Sequence, residues 1–291
     1  MEILETIING LSVGGTYAMI ALGYTMVYGI AKMLNFAHGD VIMVGGYTIF
    51  VLLSSTGYPL IGLAGAILFC VLLGVIIEKL AYKPLRGASP LAVLITAIGV
   101  SYLLQSAAQM IFGSAPKMVI LFGDLGNITI GSLVIQKHIV ITLVSSVVIM
   151  TVLTLFVKYT KIGRAMIAVS EDKGAAQLMG INANGIITLT FAIGSALAAF
   201  AGFFMLMKSP SLSNTMGAMP GIKAFTAAVI GGIGSIPGAM VGGILIGMIE
   251  AVSFKFAAIA PYTDAIEFLI LIIILLVKPS GILGKVRREK V

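Results

Sequence analysis

The chain has 291 residues, 59% of them hydrophobic and only 10% charged, with a mean hydropathy of +1.13. Soluble domains run at about 45–50% apolar and about 25% charged. That excludes a soluble enzyme, a nucleic-acid binder and a disordered regulator, and leaves an integral membrane protein. The net charge of +7 comes from 18 Lys and Arg against 11 Asp and Glu. These basic residues gather in short loops, where they set orientation in a membrane. One cysteine, Cys70, in an apolar run gives no disulfide framework. Two distant histidines, His38 and His138, give no metal site, so neither a metal nor a cofactor is expected on this chain.

A membrane span takes about 17–25 apolar residues. Read between charges, spans fall at residues 6–29, 36–55, 60–77, 91–112, 139–157, 185–207 and 265–277. No basic stretch precedes the first, so no cleavable signal is expected. Lys79, Lys83 and Arg86 occupy the 78–86 loop, and Lys158, Lys161, Arg164 and Lys173 the loop at 158–173. The tail carries Lys278, Lys285, Arg287, Arg288 and Lys290. All three segments belong in the cytoplasm. The N-terminus, with Glu2 and Glu5, belongs outside. Residues 113–138 form an external loop, in which 127–135 reads as a short β-hairpin.

Parity then constrains the glycine-rich stretch at 224–249. A single helix there would leave the basic tail outside. A half-helix from about Gly221, a break over residues 231–238 and a return over 239–256 resolve the conflict. The fold expected is an all-α polytopic bundle of about eight spans plus a re-entrant half-helix, forming one permease domain over residues 1–291.

Three segments stand out chemically. Non-helical backbone at membrane depth is tolerated only inside protein or beside a cavity, which makes the Gly231–Gly238 break a candidate pathway wall. Its glycines, with Gly242, Gly243 and Gly247, also have the small-xxx-small spacing of close helix packing. Leu34-Asn35-Phe36-Ala37-His38-Gly39-Asp40 is the most polar span boundary. Asp40 there is read either as a helix cap or, with His38, as a proton relay. In the loop after the fifth span, Ser170 as N-cap, Glu171 and Asp172 in the first turn and Gly180 as the stop predict a short helix over 171–179. It presents Ala175, Ala176, Leu178 and Met179, a surface for docking or for folding back on the bundle. Glu250, Lys255, Asp264 and Glu267 are expected mostly at interfaces, snorkelling or capping. No phosphate-binding loop, nucleophile elbow or zinc-protease motif is present.

In order along the chain, LNFAHG (34–39), EKLAYKPLR (78–86), GRAMIAVSEDKGAAQLMGI (163–181), FTAAVIGGIGSIPGAMVGG (225–243) and KPSGILG (278–284) resemble the shorter of the paired permeases of branched-chain amino acid ABC importers. The resemblance implies a second permease, two cytoplasmic ATPases that carry ATP and Mg, and an external substrate-binding protein. No covalent chemistry falls to the membrane chain, and its setting is the cytoplasmic membrane. It further implies ATPase coupling through Gly163, Arg164, Glu171, Asp172, Ala175 and Gly180. Ile167 departs from the pattern, since a second basic residue is expected there. The residues nominated for the translocation path are Asn35, Phe36, His38, Gly39, Gly231, Gly232, Gly234 and Ser235. Competing readings are a proton-coupled secondary transporter, a channel, and an ABC permease for another amino acid or urea.

Overall fold

The computed structural model describes residues 2–123, 125–130 and 133–284. Of the tail positions named above, Lys285, Arg287, Arg288 and Lys290 lie outside the described residues, as do hairpin-tip positions 131 and 132. Helices fill the described chain in the order α1 (Glu2–Ala31), α2 (His38–Thr56), α3 (Pro59–Ile77), α4 (Pro90–Phe112), α5 (Lys137–Tyr159), α6 (Lys161–Glu171), α7 (Lys173–Leu178), α8 (Ala183–Lys208), α9 (Ala218–Gly231), α10 (Ile236–Lys255) and α11 (Thr263–Val277). A π-turn at Glu78–Tyr82 and a 3-10 turn at Lys83–Leu85 extend α3. Among the described residues eight helical segments are long and apolar enough to cross a membrane: α1 to α5, α8, α10, and α11 together with the 3-10 turn Ala260–Tyr262 that leads into it.

The strands are β1 (Lys117–Met118), β2 (Asn127–Ile130), β3 (Leu133–Gln136) and β4 (Ser211–Leu212). β2 and β3 make the antiparallel hairpin, with Asn127 opposite Gln136, and β1 pairs with β4. Both pairs lie at the end of the bundle where α1 begins, here the N face. Val134 N–H of the hairpin donates to Glu5 Oε1 at 3.3 Å. The α5–α6 junction, α7 and residues 278–284 lie at the opposite end, the C face.

α1 and α8 form the centre and are buried along most of their length. Glycine decides how closely α10 joins them. Gly243 and Gly247 stand against Ala18 and Gly14 of α1 with no room for a Cβ, while Gly238 and Gly242 meet Gly231 and Ala227 of α9 just as closely. The four-residue spacing is thus close packing, and it serves two neighbours at once because adjacent pairs fall on adjacent helix faces.

α1 ends at Ala31, where Lys32 takes a left-handed φ of 58°. α2 then starts with His38 lying against Gly23, about 12 Å along α1 from its end at the helical rise. Fourteen residues long, α9 spans about 21 Å, short of the ~30 Å hydrocarbon core. It ends at Gly231, and α10 begins at Ile236, so the break is the four residues 232–235, tighter than the sequence expectation of 231–238.

Filling the α1–α10 contact should be costly. Gly247→Leu is expected to destabilise the chain by about 1–3 kcal/mol through overpacking, read as a lowered apparent melting temperature in detergent. Gly99→Leu, at a glycine with open space around it, should melt like the parent.

Candidate translocation path and coupling surface

The first nominated cluster is assembled by the start of α2. The Tyr82 hydroxyl donates to Asn35 Oδ1 at 2.8 Å, and the backbone His38 N–H to the Asn35 carbonyl at 3.1 Å. The Phe36 ring lies 5.2 Å from that of Phe225 on α9, and His38 stands edge-on to Tyr24 at 4.9 Å. Gly39 meets Gly217 and Gly221, so α9 begins against the beginning of α2. Asn35, His38 and Gly39 are buried and Phe36 half-buried.

The second cluster lies elsewhere. Gly231, Gly232, Gly234 and Ser235 sit at the C face, where Gly232 (φ 108°) and Gly234 (φ 93°) adopt conformations that side chains rarely reach. Ser235 caps α10, its Oγ accepting from Gly238 N–H at 3.2 Å. Residues 278–284 wrap beneath α9. Ile282 and Leu283 N–H donate to the carbonyls of Ile230 and Gly231, each at 2.8 Å. The first four residues belong to the α1–α2 connection and the start of α2 and pack along α9 from Gly217 to Phe225, whereas the last four form the α9–α10 turn.

Asp40 neither caps α2 nor pairs with His38. The N-cap position is Ala37, with no side-chain cap bond. The Asp40 carboxylate accepts from Gln105 Nε2 of α4 at 2.8 Å, whereas the His38 ring faces Gly23. Two residues apart on a helix point in different directions, which removes the geometry that the relay reading needs.

The charges of the last helices also differ from expectation. Lys255 is exposed at the end of α10, but Glu250, Asp264 and Glu267 converge on Lys223 of α9. Its Nζ lies 3.1, 2.8 and 3.3 Å from their carboxylate oxygens. Tyr17 of α1 donates to Glu250 Oε2 at 2.6 Å, and Lys208 of α8 stands 3.5 Å from Oε1. Glu267 is fully buried. An unpaired charge at such depth is expensive, so convergence replaces snorkelling. Lys223 was missed in the sequence reading; a lone cation inside a glycine-rich apolar segment was its signal. At the C face, Arg86 is likewise more than an orientation signal: its guanidinium binds buried Glu78 and the side chain of Asn184, and Thr188 Oγ1 adds a bond to Glu78 at 2.8 Å.

The nominated coupling residues lie on a helix–helix turn at the C face. Thr160 starts α6 by accepting Gly163 N–H at 2.9 Å, and a Cβ on Gly163 would strike the Val157 carbonyl. Ser170 is not a cap. α6 runs through Glu171, and Asp172 is the cap, its Oδ1 accepting Ala175 N–H at 2.9 Å to begin the shorter helix α7. Gly180, at φ 80°, ends α7, and Ile181 N–H returns to the Ala176 carbonyl at 3.0 Å. Arg164, Glu171, Asp172 and Ala175 are exposed, and beyond them Leu178 and Met179 are 91% and 83% exposed. On the inner side, Met166, Ile167 and Ser170 of α6 meet Gly234 and Ile236 around a gap of about 80 Å³. α6 thus adjoins the α9–α10 break.

A bundle of membrane-length helices with a half-helix held in its core is the architecture of a multi-pass membrane permease. A family model described as "Branched-chain amino acid transport system / permease component" matches residues 6–275. The chain is 45% identical over 301 residues to the high-affinity branched-chain amino acid transport system permease protein BraD of Pseudomonas aeruginosa, covering 99% of this chain and 98% of that one. It is 42% identical to the corresponding LivH protein of Escherichia coli, covering 99% and 97%. A probable branched-chain amino acid transport permease of Methanocaldococcus jannaschii is 28% identical, with 91% and 88% covered. The chain belongs to the branched-chain amino acid transport permease family; it is a membrane transport component and not an enzyme.

The ion cluster makes an asymmetric prediction. Lys223→Met strands buried Glu267, while Glu250 keeps Tyr17 and Lys208 and Asp264 is half exposed, and is expected to destabilise by about 3–5 kcal/mol. Glu267→Gln removes one of the surplus negative charges and should cost about 1 kcal/mol or less. Thermal unfolding in detergent distinguishes the two.

Proposed function

We propose that this chain is the translocation subunit of an ATP-driven ABC importer for leucine, isoleucine and valine. It works in the cytoplasmic membrane, with the whole of residues 1–291 acting as one permease unit. The N face is external and the C face cytoplasmic. The distribution of basic residues supports this orientation: Lys79, Lys83, Lys158, Lys161, Arg164, Lys173 and Lys278 all belong to the C face. Residues 113–138 are then the external loop, 158–184 the coupling loop and 278–291 the cytoplasmic tail.

The observation that carries the reading is α7. A compact helix on the cytoplasmic side, started by Asp172 and stopped by Gly180, thrusts Leu178 and Met179 into water. Solvated apolar side chains of this size mark a surface awaiting a partner, here the cleft of an ATPase. Gly163, Arg164, Glu171 and Ala175 build and flank that surface. The partners are a second, similar permease, two ATPases holding nucleotide and magnesium, and an external binding protein; this chain holds no cofactor itself. α9 carries the coupling inward, with Asn35, Phe36, His38 and Gly39 at one end and Gly231, Gly232, Gly234 and Ser235 at the other. Small residues and backbone groups along such a path suit brief contact with a zwitterion whose capture belongs to the binding protein.

Purification of the tagged chain from its native host in mild detergent should bring down two ATPases and a second permease, identified by mass spectrometry. Recovery of the chain alone would overturn the importer reading. The double substitution Leu178→Glu, Met179→Glu should lower ATPase recovery about tenfold or more, as loss of an interface anchor does, without lowering the yield of the membrane chain. Gly234→Leu, which forces a side chain onto a left-handed backbone, should abolish leucine uptake while the complex still assembles.

A further inference from the structure

Between the N-face ends of α1, α5 and α8 lies a cavity of about 210 Å³ that the path described above does not include. That is below the ~300–1,000 Å³ of drug-sized pockets and suits a ligand of amino-acid size. Val13, Ile139 and Phe204 form an apolar wall, Ser12 and Thr142 bring hydroxyl groups, and Pro220 of α9 contributes to the lining. Lys208 brings an ammonium group. Beyond Lys208 and His138 is a second chamber of about 340 Å³, lined by Asn127, Gln136 and residues 120–123, 125 and 126. The same two side chains line both chambers, so they stand between a polar vestibule and an amphipathic cavity that reaches the start of the half-helix.

The ion cluster leaves Lys208 available. Glu250 Oε2 accepts from Tyr17 at 2.6 Å and from Lys223 at 3.1 Å, whereas Lys208 Nζ stands 3.5 Å from Oε1 with its side chain half exposed. A loosely held ammonium group over an apolar pocket attracts a carboxylate. Behind it stand the carboxyl groups of Glu250, Asp264 and Glu267, acceptors that favour a ligand bearing an ammonium group beside its carboxylate.

We propose that this cavity is an entry subsite for an α-amino acid with an aliphatic side chain, its carboxylate on Lys208 and its side chain against Val13, Ile139 and Phe204. The proposal rests on the importer reading with the N face outside. Tyr17 lines the cavity and holds Glu250, and Pro220 belongs to α9. An occupant therefore touches both the ion cluster and the half-helix, the elements that must move for the path to open.

The test uses leucine uptake by native-host cells in which the chain is replaced by variants. The lone cysteine, Cys70, is fully buried, so Lys208→Cys introduces a single accessible thiol. Lys208→Cys is expected to lower uptake about tenfold, the scale of one lost charge-assisted bond, with the complex still assembled by co-purification. Aminoethyl methanethiosulfonate, which restores a primary ammonium group, should recover most of the uptake; the neutral methyl reagent should not. Ile139→Phe fills the cavity from α5 without touching the Lys208–Glu250 pair, and should also lower uptake about tenfold. Parental uptake in Lys208→Cys or in Ile139→Phe would overturn the subsite, as would equal rescue by the two reagents. Failure of the unmodified chain to import leucine would instead remove the importer reading.

Discussion

A peptide group stranded in hydrocarbon costs several kcal/mol, and this chain ends helices in two partly buried places, residues 32–37 and 232–235. Much of the structure is organised around satisfying them. At the first break the chain bonds to itself, and Tyr82 reaches across from the end of α3 to hold Asn35. At the second, residues 278–284 return beneath α9 and supply N–H groups to Ile230 and Gly231, the carbonyls that a helix end leaves open. Gly281, at φ 78°, lies against Gly232 with no room for a Cβ on either. The 278–284 segment is in this sense part of the half-helix.

A second consequence concerns charge. Lys223 of α9 is buried, and the cation is answered inside the bundle by α10 and α11. One ammonium group therefore ties three helices together near the N face, while the 278–284 strap ties the same half-helix at the C face. α6 adjoins the break from the other side. Pressure on α6 thus has a short physical route to α9: Met166 and Ile167, then Gly234, then the half-helix and its ionic anchor.

Much of this was legible in the sequence. Eight spans, the re-entrant half-helix, the hairpin and the stop at Gly180 follow from apolar length, parity of the basic loops and turn chemistry, all of which are local signals. Boundaries moved where two local signals competed. Ser170 and Asp172 are both good caps, and the amphipathic pattern of Met166 and Val169 continued α6 past the first, leaving the second to begin α7. The nominated path residues are grouped by their polarity and smallness, properties that carry no distance, and the fold sets one group at the α1–α2 connection and the other at the α9–α10 turn.

Composition by itself determined that the chain lives in a bilayer, and the order of its motifs determined its family. Which charges meet was decided only in three dimensions. Lys223, Glu250, Asp264 and Glu267 are separated by up to two helices in sequence, and whether such groups snorkel or pair depends on how far each lies from water once the bundle has closed. The direction each helix face takes was equally a tertiary matter: Gly242 and Gly243 are neighbours in the chain, yet one seats α9 and the other α1.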